Sequence, residues 1–146
     1  MTPMLPTKYW KNVTQGFLVP NKHYKSGVHN GTDFGCPIGT PVYAPTEGVV
    51  YRRSDKHASL GTHLYFTFAV KGKVYYMRVL HLSKAEIIGW YKAGEVIGYT
   101  GNTGDSSGPH LHIDIFRVPI ESSLITTKAG VQKYLVDPIQ FFNNLV

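Results

Sequence analysis

Cysteine is almost missing: Cys36 is the single one in the chain. An internal disulfide is therefore excluded, and the fold does not depend on an oxidising compartment. Apolar runs long enough to span a bilayer are also missing, so no membrane insertion is expected. Acidic residues are scarce, 9 against 15 Lys and Arg, which leaves a net charge of +6. That excess points to an anionic partner. The basic residues are scattered, however, with no run longer than Arg52-Arg53. The basic stripe and base-reading motif of a nucleic-acid binder are lacking, so nucleic acid is not expected as a partner. Strong helix-forming runs are few. Internal repeats, low-complexity segments and interdomain linkers are lacking too. The 146 residues suffice for one domain, 1–146, with its own core, expected to be a monomer.

Turn formers and aromatics are plentiful: 15 Gly, 9 Pro, 10 Tyr and 7 Phe. They favour an all-β domain with many turns. Residues 1–14 read as an N-terminal arm without a clear period. Gln15 to Val19 reads as a short strand ended by Pro20-Asn21, and Glu47 to Arg53 as a strand after a turn at Pro45-Thr46. His63 to Val70 and Lys73 to Leu80 are rich in β-branched and aromatic residues. Lys71-Gly72 between them is a hairpin signal. Ser83-Lys-Ala-Glu86 matches a capping box, which predicts one helical turn. Gly94 to Gly98 reads as a short strand. Asp137-Pro138 fits the N-cap and first position of a short helix, Pro138 to Asn143.

The chemistry-bearing residues are histidines. His110-Leu-His112 follows a loop holding Gly101, Gly104 and Gly108. On a strand, alternate side chains share a face. His110, His112 and Asp114 then point one way, and Leu111, Ile113 and Ile115 the other. Asp114 can orient a metal-bound imidazole from behind, or be an ordinary exposed strand residue. A second cluster is His29-Asn-Gly-Thr-Asp33, where Gly31 argues for a loop or short strand. At even spacing in extended chain both side chains again point one way. Zinc accepts imidazole nitrogen and carboxylate oxygen, and a catalytic zinc typically keeps three protein ligands and one open position. His29, Asp33 and one histidine of the later pair would make that set. Read alone, His29 and Asp33 are a loop histidine and a turn-capping carboxylate.

Three stretches, in order, resemble one family. His29-x-x-x-Asp33, then Pro37-x-Gly39-Thr-Pro-Val42-x-Ala44 and Gly48-x-Val50, is similar to the first half of the M23 zinc endopeptidases, the lysostaphin- or LytM-like family. His81-Leu-Ser83 resembles their middle motif. Gly98-x-x-Gly-Asn-Thr-Gly-x-Ser-x-Gly-Pro-His-Leu-His112 resembles their last one almost residue for residue. The motif-bearing core covers about 28–116, followed by a C-terminal extension, 117–146. The resemblance implies a mainly antiparallel, two-layer β domain of the LytM type with one or two short helices and a site in a groove. It implies one zinc ion (Zn2+) per chain, with His29, Asp33 and His112 as ligands and His81 and His110 as paired catalytic histidines. The family cleaves peptide bonds of bacterial peptidoglycan, in stem peptides or crosslinks, so peptidoglycan is the implied partner.

No glutamate stands in a His-Glu-x-x-His arrangement, so the base is not the usual zincin carboxylate. Neutral histidine can serve as base and as donor at neutral pH. A tyrosine upstream of the first ligand often assists in this family, and His23 and Tyr24 lie in that region as substrate-binding residues. Cys36 reads as a small buried hydrophobe rather than a metal ligand. His57 and His63 match no motif and read as surface or strand residues. Bond preference is expected in loops around 52–62, 84–94 and 117–136.

The start, Met1-Thr-Pro-Met-Leu-Pro-Thr-Lys8, lacks a charged segment followed by an apolar core. The expectation is a phage or prophage lysin, held in the host cytoplasm until release to the periplasm and wall, or carried on the virion. A secreted bacterial enzyme whose signal has been removed is the alternative. A catalytically inactive envelope, tail or activator protein of the same fold is the competing class. The presence of all five ligand and catalytic positions argues against it.

Overall fold

The computed structural model describes residues 3–145, so Met1, Thr2 and Val146, the outer ends of the arm and the extension, lie outside it. The strands are β1 (Val13–Gln15), β2 (Thr32–Gly35), β3 (Pro41–Tyr43), β4 (Gly48–His57), β5 (Gly61–Val70), β6 (Lys73–Ala85), β7 (Gly89–Tyr91), β8 (Val96–Thr100) and β9 (His110–Phe116). A 3-10 turn (Ser122–Ile125), helix α1 (Lys128–Tyr134), β10 (Leu135–Val136) and helix α2 (Pro138–Leu145) follow. The ten strands form one sheet, and its main path runs β1-β2-β9-β6-β5-β4-β7. Every pairing is antiparallel. No helix among the described residues is long and apolar enough to cross a membrane.

Strand β6 is the axis. Its first part lies between β5 and β9, and its last residues pair with β8, which carries β3. One side of the sheet closes over a core that holds Val50, Leu64, Phe66, Met77, Val79, Leu111 and Ile113 together with Val42 and Ile97 from the β3–β8 pair. Helix α2 seals it: Phe142 lies edge-on to Trp10 at 5.6 Å, and Trp10 stacks on Phe34 at 5.0 Å. The alternation expected of β9 is present, with Leu111, Ile113 and Ile115 fully buried in this core. His112 and Asp114 therefore project from the opposite face.

The hairpin at Lys71-Gly72 is present, and both residues take positive φ, 51° and 78°, as its tight turn requires. Helix α2 starts at Pro138 as expected, with the Asp137 carboxylate accepting from the Ile139 amide at 2.9 Å. Helix α1 has no counterpart among the sequence expectations. Two expectations fail. Ser83 to Glu86 forms no helical turn: β6 continues through it, because Leu82, Lys84 and Ala85 pair with Thr100, Tyr99 and Gly98 of β8. Tertiary pairing there overrides a local capping signal. The strand expected over 15–19 lies earlier, at Val13–Gln15, and the chain turns at Phe17 and Leu18 instead. The described part of the arm packs on the domain: Trp10 is buried and donates from Nε1 to Asn143 at 2.9 Å, and the Tyr43 amide donates to the Pro6 carbonyl at 2.8 Å.

Candidate active site

Strands β2 and β9 pair with Asp33 opposite His112. The segment leading into β2 crosses β9 so closely that a Cβ on Gly31 would lie 2.2 Å from the Ile113 carbonyl oxygen. Only glycine fits there. This contact sets His29 and Asp33 against His112. Asp33 Oδ1 is 2.8 Å from His112 Nδ1 and 3.3 Å from His29 Nε2, and the two ring nitrogens are 3.3 Å apart. These three atoms form a potential metal-binding group.

The outer ring atoms settle which nitrogens face inward. His29 Nδ1 is 3.0 Å from the Gly16 carbonyl. A carbonyl only accepts, so Nδ1 carries the proton and Nε2 offers a lone pair. His112 Nε2 is 2.9 Å from Asp114 Oδ2 and donates to it, which leaves Nδ1 facing Asp33. Asp114 is fully buried and accepts from Arg78 through Nε at 3.1 Å and Nη2 at 2.8 Å, with Asn30 Nδ2 at 3.3 Å. Burial alone would raise the Asp114 pKa, but the Arg78 charge and the His112 hydrogen bond hold it down. Of the two sequence readings of Asp114, the exposed one is excluded.

The centre favours positive charge. Burial would lower the His112 pKa, yet hydrogen bonds to Asp114 and Asp33 and their charges push it up to about 9. Burial would raise Asp33, yet its hydrogen bonds to His112 and His29 hold it well below the usual carboxylate range. Two imidazoles and one carboxylate, with their orientations fixed from outside, match the donor composition of a catalytic zinc site. The residues present fit that ion.

His81 and His110 stand beside this group, with ring centroids 5.0 Å apart. His81 occupies a bulge: Val79 pairs with Leu64 and Leu82 with Thr62, so two residues of β6 oppose one of β5. Its φ is +61°, a costly value for a non-glycine residue, of the kind found at functional sites. The bulge falls where β6 leaves β9 for β8, and it re-aims the side chain. His81 Nδ1 donates to the Thr103 carbonyl at 2.8 Å, which frees Nε2. Burial pushes the His81 pKa down to about 4, with the neighbouring histidines adding to it against the Thr103 bond. His110 Nδ1 lies 2.8 Å from the Gly108 carbonyl, and its Nε2 is 3.9 Å from Asp33.

The loops are locked together. A Cβ on Gly104 would lie 2.4 Å from the Gly61 amide nitrogen, and the Asp105 amide donates to the Ser59 carbonyl at 2.8 Å. Thr103 Oγ1 donates to the Leu82 carbonyl at 2.6 Å and accepts from the Thr62 amide at 3.1 Å. The residue that fixes the His81 ring is thus itself fixed.

A groove of about 550 Å³ opens here, lined by His23, Tyr24, Asp33, His81, His110 and Ile125 among others. Tyr24 lies edge-on to His29 at 5.2 Å, and burial together with the Asp33 charge pushes its phenol pKa up. His23 stands exposed at the rim. Of the loops expected to set bond preference, those holding Ser59, Leu60 and Ile125 reach the groove. The 84–94 loop does not, because it follows the strand part that pairs with β8. The Gln15 to Lys25 segment lines the groove instead. A larger hollow of about 740 Å³ lies under the arm, and no histidine or carboxylate lines it. Cys36 sits in the core with its thiol 3.7 Å from the Phe34 carbonyl, outside the metal group. His63 is buried on β5 and His57 exposed at the end of β4. Arg78, Asn30 and Thr103 escaped sequence reasoning; only the alternation of Arg78 with buried Met77 and Val79 hinted that it faces the site side.

Residues 27–126 match peptidase family M23. Over 89 residues the chain is 44% identical to peptidoglycan DD-endopeptidase ShyA of Vibrio cholerae, covering 60% of this chain and 20% of that protein. The catalytic domain of the antimicrobial peptidase lysostaphin from Staphylococcus simulans superimposes with a TM-score of 0.75 at 26% identity, over 96% of this chain and 99% of that one. A zinc-containing peptidase from Vibrio cholerae gives a TM-score of 0.65 at 34% identity, over 87% of this chain and 35% of that one. The chain spans a fifth to a third of the length of the first curated relatives it matches. It belongs to peptidase family M23.

Proposed function

We infer that this M23 domain hydrolyses a peptide bond of bacterial peptidoglycan, in a stem peptide or crosslink, with one zinc ion held by His29 Nε2, Asp33 Oδ1 and His112 Nδ1. The observation that carries the reading is the meeting of these three donors beside His81 and His110, with Asp33, His81 and His110 lining one groove. The substrate class is supported by relatives named as peptidoglycan endopeptidases and by the chain's net charge of +6, which suits an anionic envelope.

A zinc ion held by this set would supply Lewis acidity, polarising the scissile carbonyl and acidifying water. The chain's own residues divide the proton work. His81 is the base: its Nδ1 proton is committed to Thr103, its Nε2 lone pair is free, and burial keeps it neutral down to about pH 4. His110, with Nδ1 committed to Gly108 and Nε2 3.9 Å from Asp33, stands beside the developing oxyanion. The Tyr24 phenol stays protonated, since its pKa is raised, and is a donor into the groove. His23 at the rim contacts the substrate further out. The water oxygen ends on the carbonyl carbon, the C–N bond breaks, and the leaving amine takes up the proton His81 received.

The test is turbidity loss of permeabilised cells and mass spectrometry of fragments from defined crosslinked muropeptides, with zinc and after chelation. Zinc-dependent release of a peptide fragment is expected. A zinc-loaded protein that cuts no muropeptide overturns the reading.

A further inference from the structure

The sheet face that carries the site does not end at the groove. Arg78 lines the groove and pairs across β6 and β5 with Tyr65. Tyr65 is met edge-on by Tyr51 at 5.9 Å, and the Arg52 guanidinium lies 5.2 Å over its ring. Two consecutive residues of β4 reach the same face because of a bulge: Val50 pairs with Phe66 and Arg52 with Tyr65, which leaves Tyr51 as the extra residue. Tyr51 also meets Tyr76 at 6.3 Å. Beyond them Trp90 on β7, opposite Val49 of β4, flanks a shallow hollow of about 280 Å³ floored by Val49, Thr67 and Val74. Trp90 is 73% exposed and Val74 49%. Along this face the aromatic residues therefore follow one another in a strip from buried Tyr65 through half-buried Tyr51 and Tyr76 to exposed Trp90 at the far edge of the sheet. From β9 to β7 the face crosses four strand spacings, ~19 Å.

Exposed apolar surface such as Trp90 and Val74, set beside half-buried Tyr51 and Tyr76, marks a binding face. The strip combines aromatic rings (Trp90, Tyr76, Tyr51) with phenol hydroxyls and a guanidinium that is already stacked in place. A pyranose offers the complement: an apolar C–H face for a ring and a rim of hydroxyls for the donors and acceptors. The strip shares the sheet face of the groove, with the buried Arg78–Tyr65 pair between them. A peptide seated in the groove while still attached to its sugar chain holds that chain within reach of the strip.

We propose that the Tyr51–Tyr76–Trp90 strip is a second subsite that binds the glycan strand of peptidoglycan while the peptide occupies the groove. It rests on the peptidoglycan reading above, and it makes the domain selective for crosslinks still attached to polymer over free peptides.

The test uses the whole chain, the variants Trp90→Ala and Tyr76→Ala, and two substrates: intact sacculi and a glycan-free crosslinked stem-peptide dimer. The ratio of kcat/KM on sacculi to that on the dimer is expected to fall about tenfold in each variant, the worth of one lost ring contact at ~1.4 kcal/mol. An unchanged ratio, or equal loss on both substrates, overturns the proposal. A direct arm separates its failure from that of the hydrolase reading. Peptide-free glycan strands are titrated while tryptophan emission is followed; Trp90 is exposed and Trp10 buried, so a saturable blue shift reports the strip whether or not the protein cuts peptides. No shift with glycan, or a shift only with single-stranded oligonucleotide, overturns it.

Discussion

Arg78 and Asp114 face each other across β6 and β9, both buried, with Nη2 2.8 Å from Oδ2. Through this pair the Asp114 carboxylate stays charged and holds His112 Nε2 at 2.9 Å, so the Arg78 guanidinium fixes the orientation of an imidazole it does not touch.

Replacing Asp114 by Asn keeps the shape and removes the charge. Under the zinc reading, affinity for the ion should fall ~10–100-fold, the usual effect of losing such a partner. Competition against a chelator of known affinity measures it. Unchanged zinc affinity would show that the carboxylate does not orient the ligand.

Replacing Arg78 by Met leaves Asp114 buried without its main partner. The cost is expected at ~3–5 kcal/mol of stability, read by denaturant unfolding of the metal-free protein. A loss below ~1 kcal/mol would place the ion pair among those that contribute little.

In the metal-free protein the His112 pKa is raised to about 9 from an ordinary 6.5. A raised folded value favours the folded state fully below pH 6.5, and the contribution is lost as pH rises through 9. Apparent melting temperature should therefore fall between pH 6.5 and 9. Zinc must displace the same proton, so its binding should release about one proton at pH 7. Calorimetry in buffers of different ionisation enthalpy counts it.

His81→Ala and His110→Ala should each lower turnover by ~10²–10⁴-fold while retaining most of the bound zinc. Metal analysis beside kinetics separates the two effects. Loss of zinc in both variants would contradict their assignment to proton work.

The long strands β4, β5, β6 and β9, the Lys71-Gly72 hairpin and the start of α2 were legible because hydrophobic alternation and turn chemistry act locally. The three ordered motifs made His29, Asp33, His81, His110 and His112 legible as a set, and the structure brings the five together, Asp33, His81 and His110 lining the groove and His29 and His112 buried behind them. Other features were not legible because they depend on partners far along the chain. Ser83 to Glu86 carries a helix-start signal that β8, more than ten residues later, overrides. Trp10 and Asn143, bonded across the full length of the chain, tie down an arm with no period of its own. Arg78 reads as one charged residue in a strand until Asp114 is set opposite it.

The most direct test of the central claim is the zinc content of the purified chain and of its His29→Ala, Asp33→Ala and His112→Ala variants, taken with muropeptide cleavage on the same samples. The account predicts one zinc per chain, its loss from each variant, and loss of cleavage in proportion. Full cleavage by a variant that has lost zinc, or full zinc retention by all three, would contradict it.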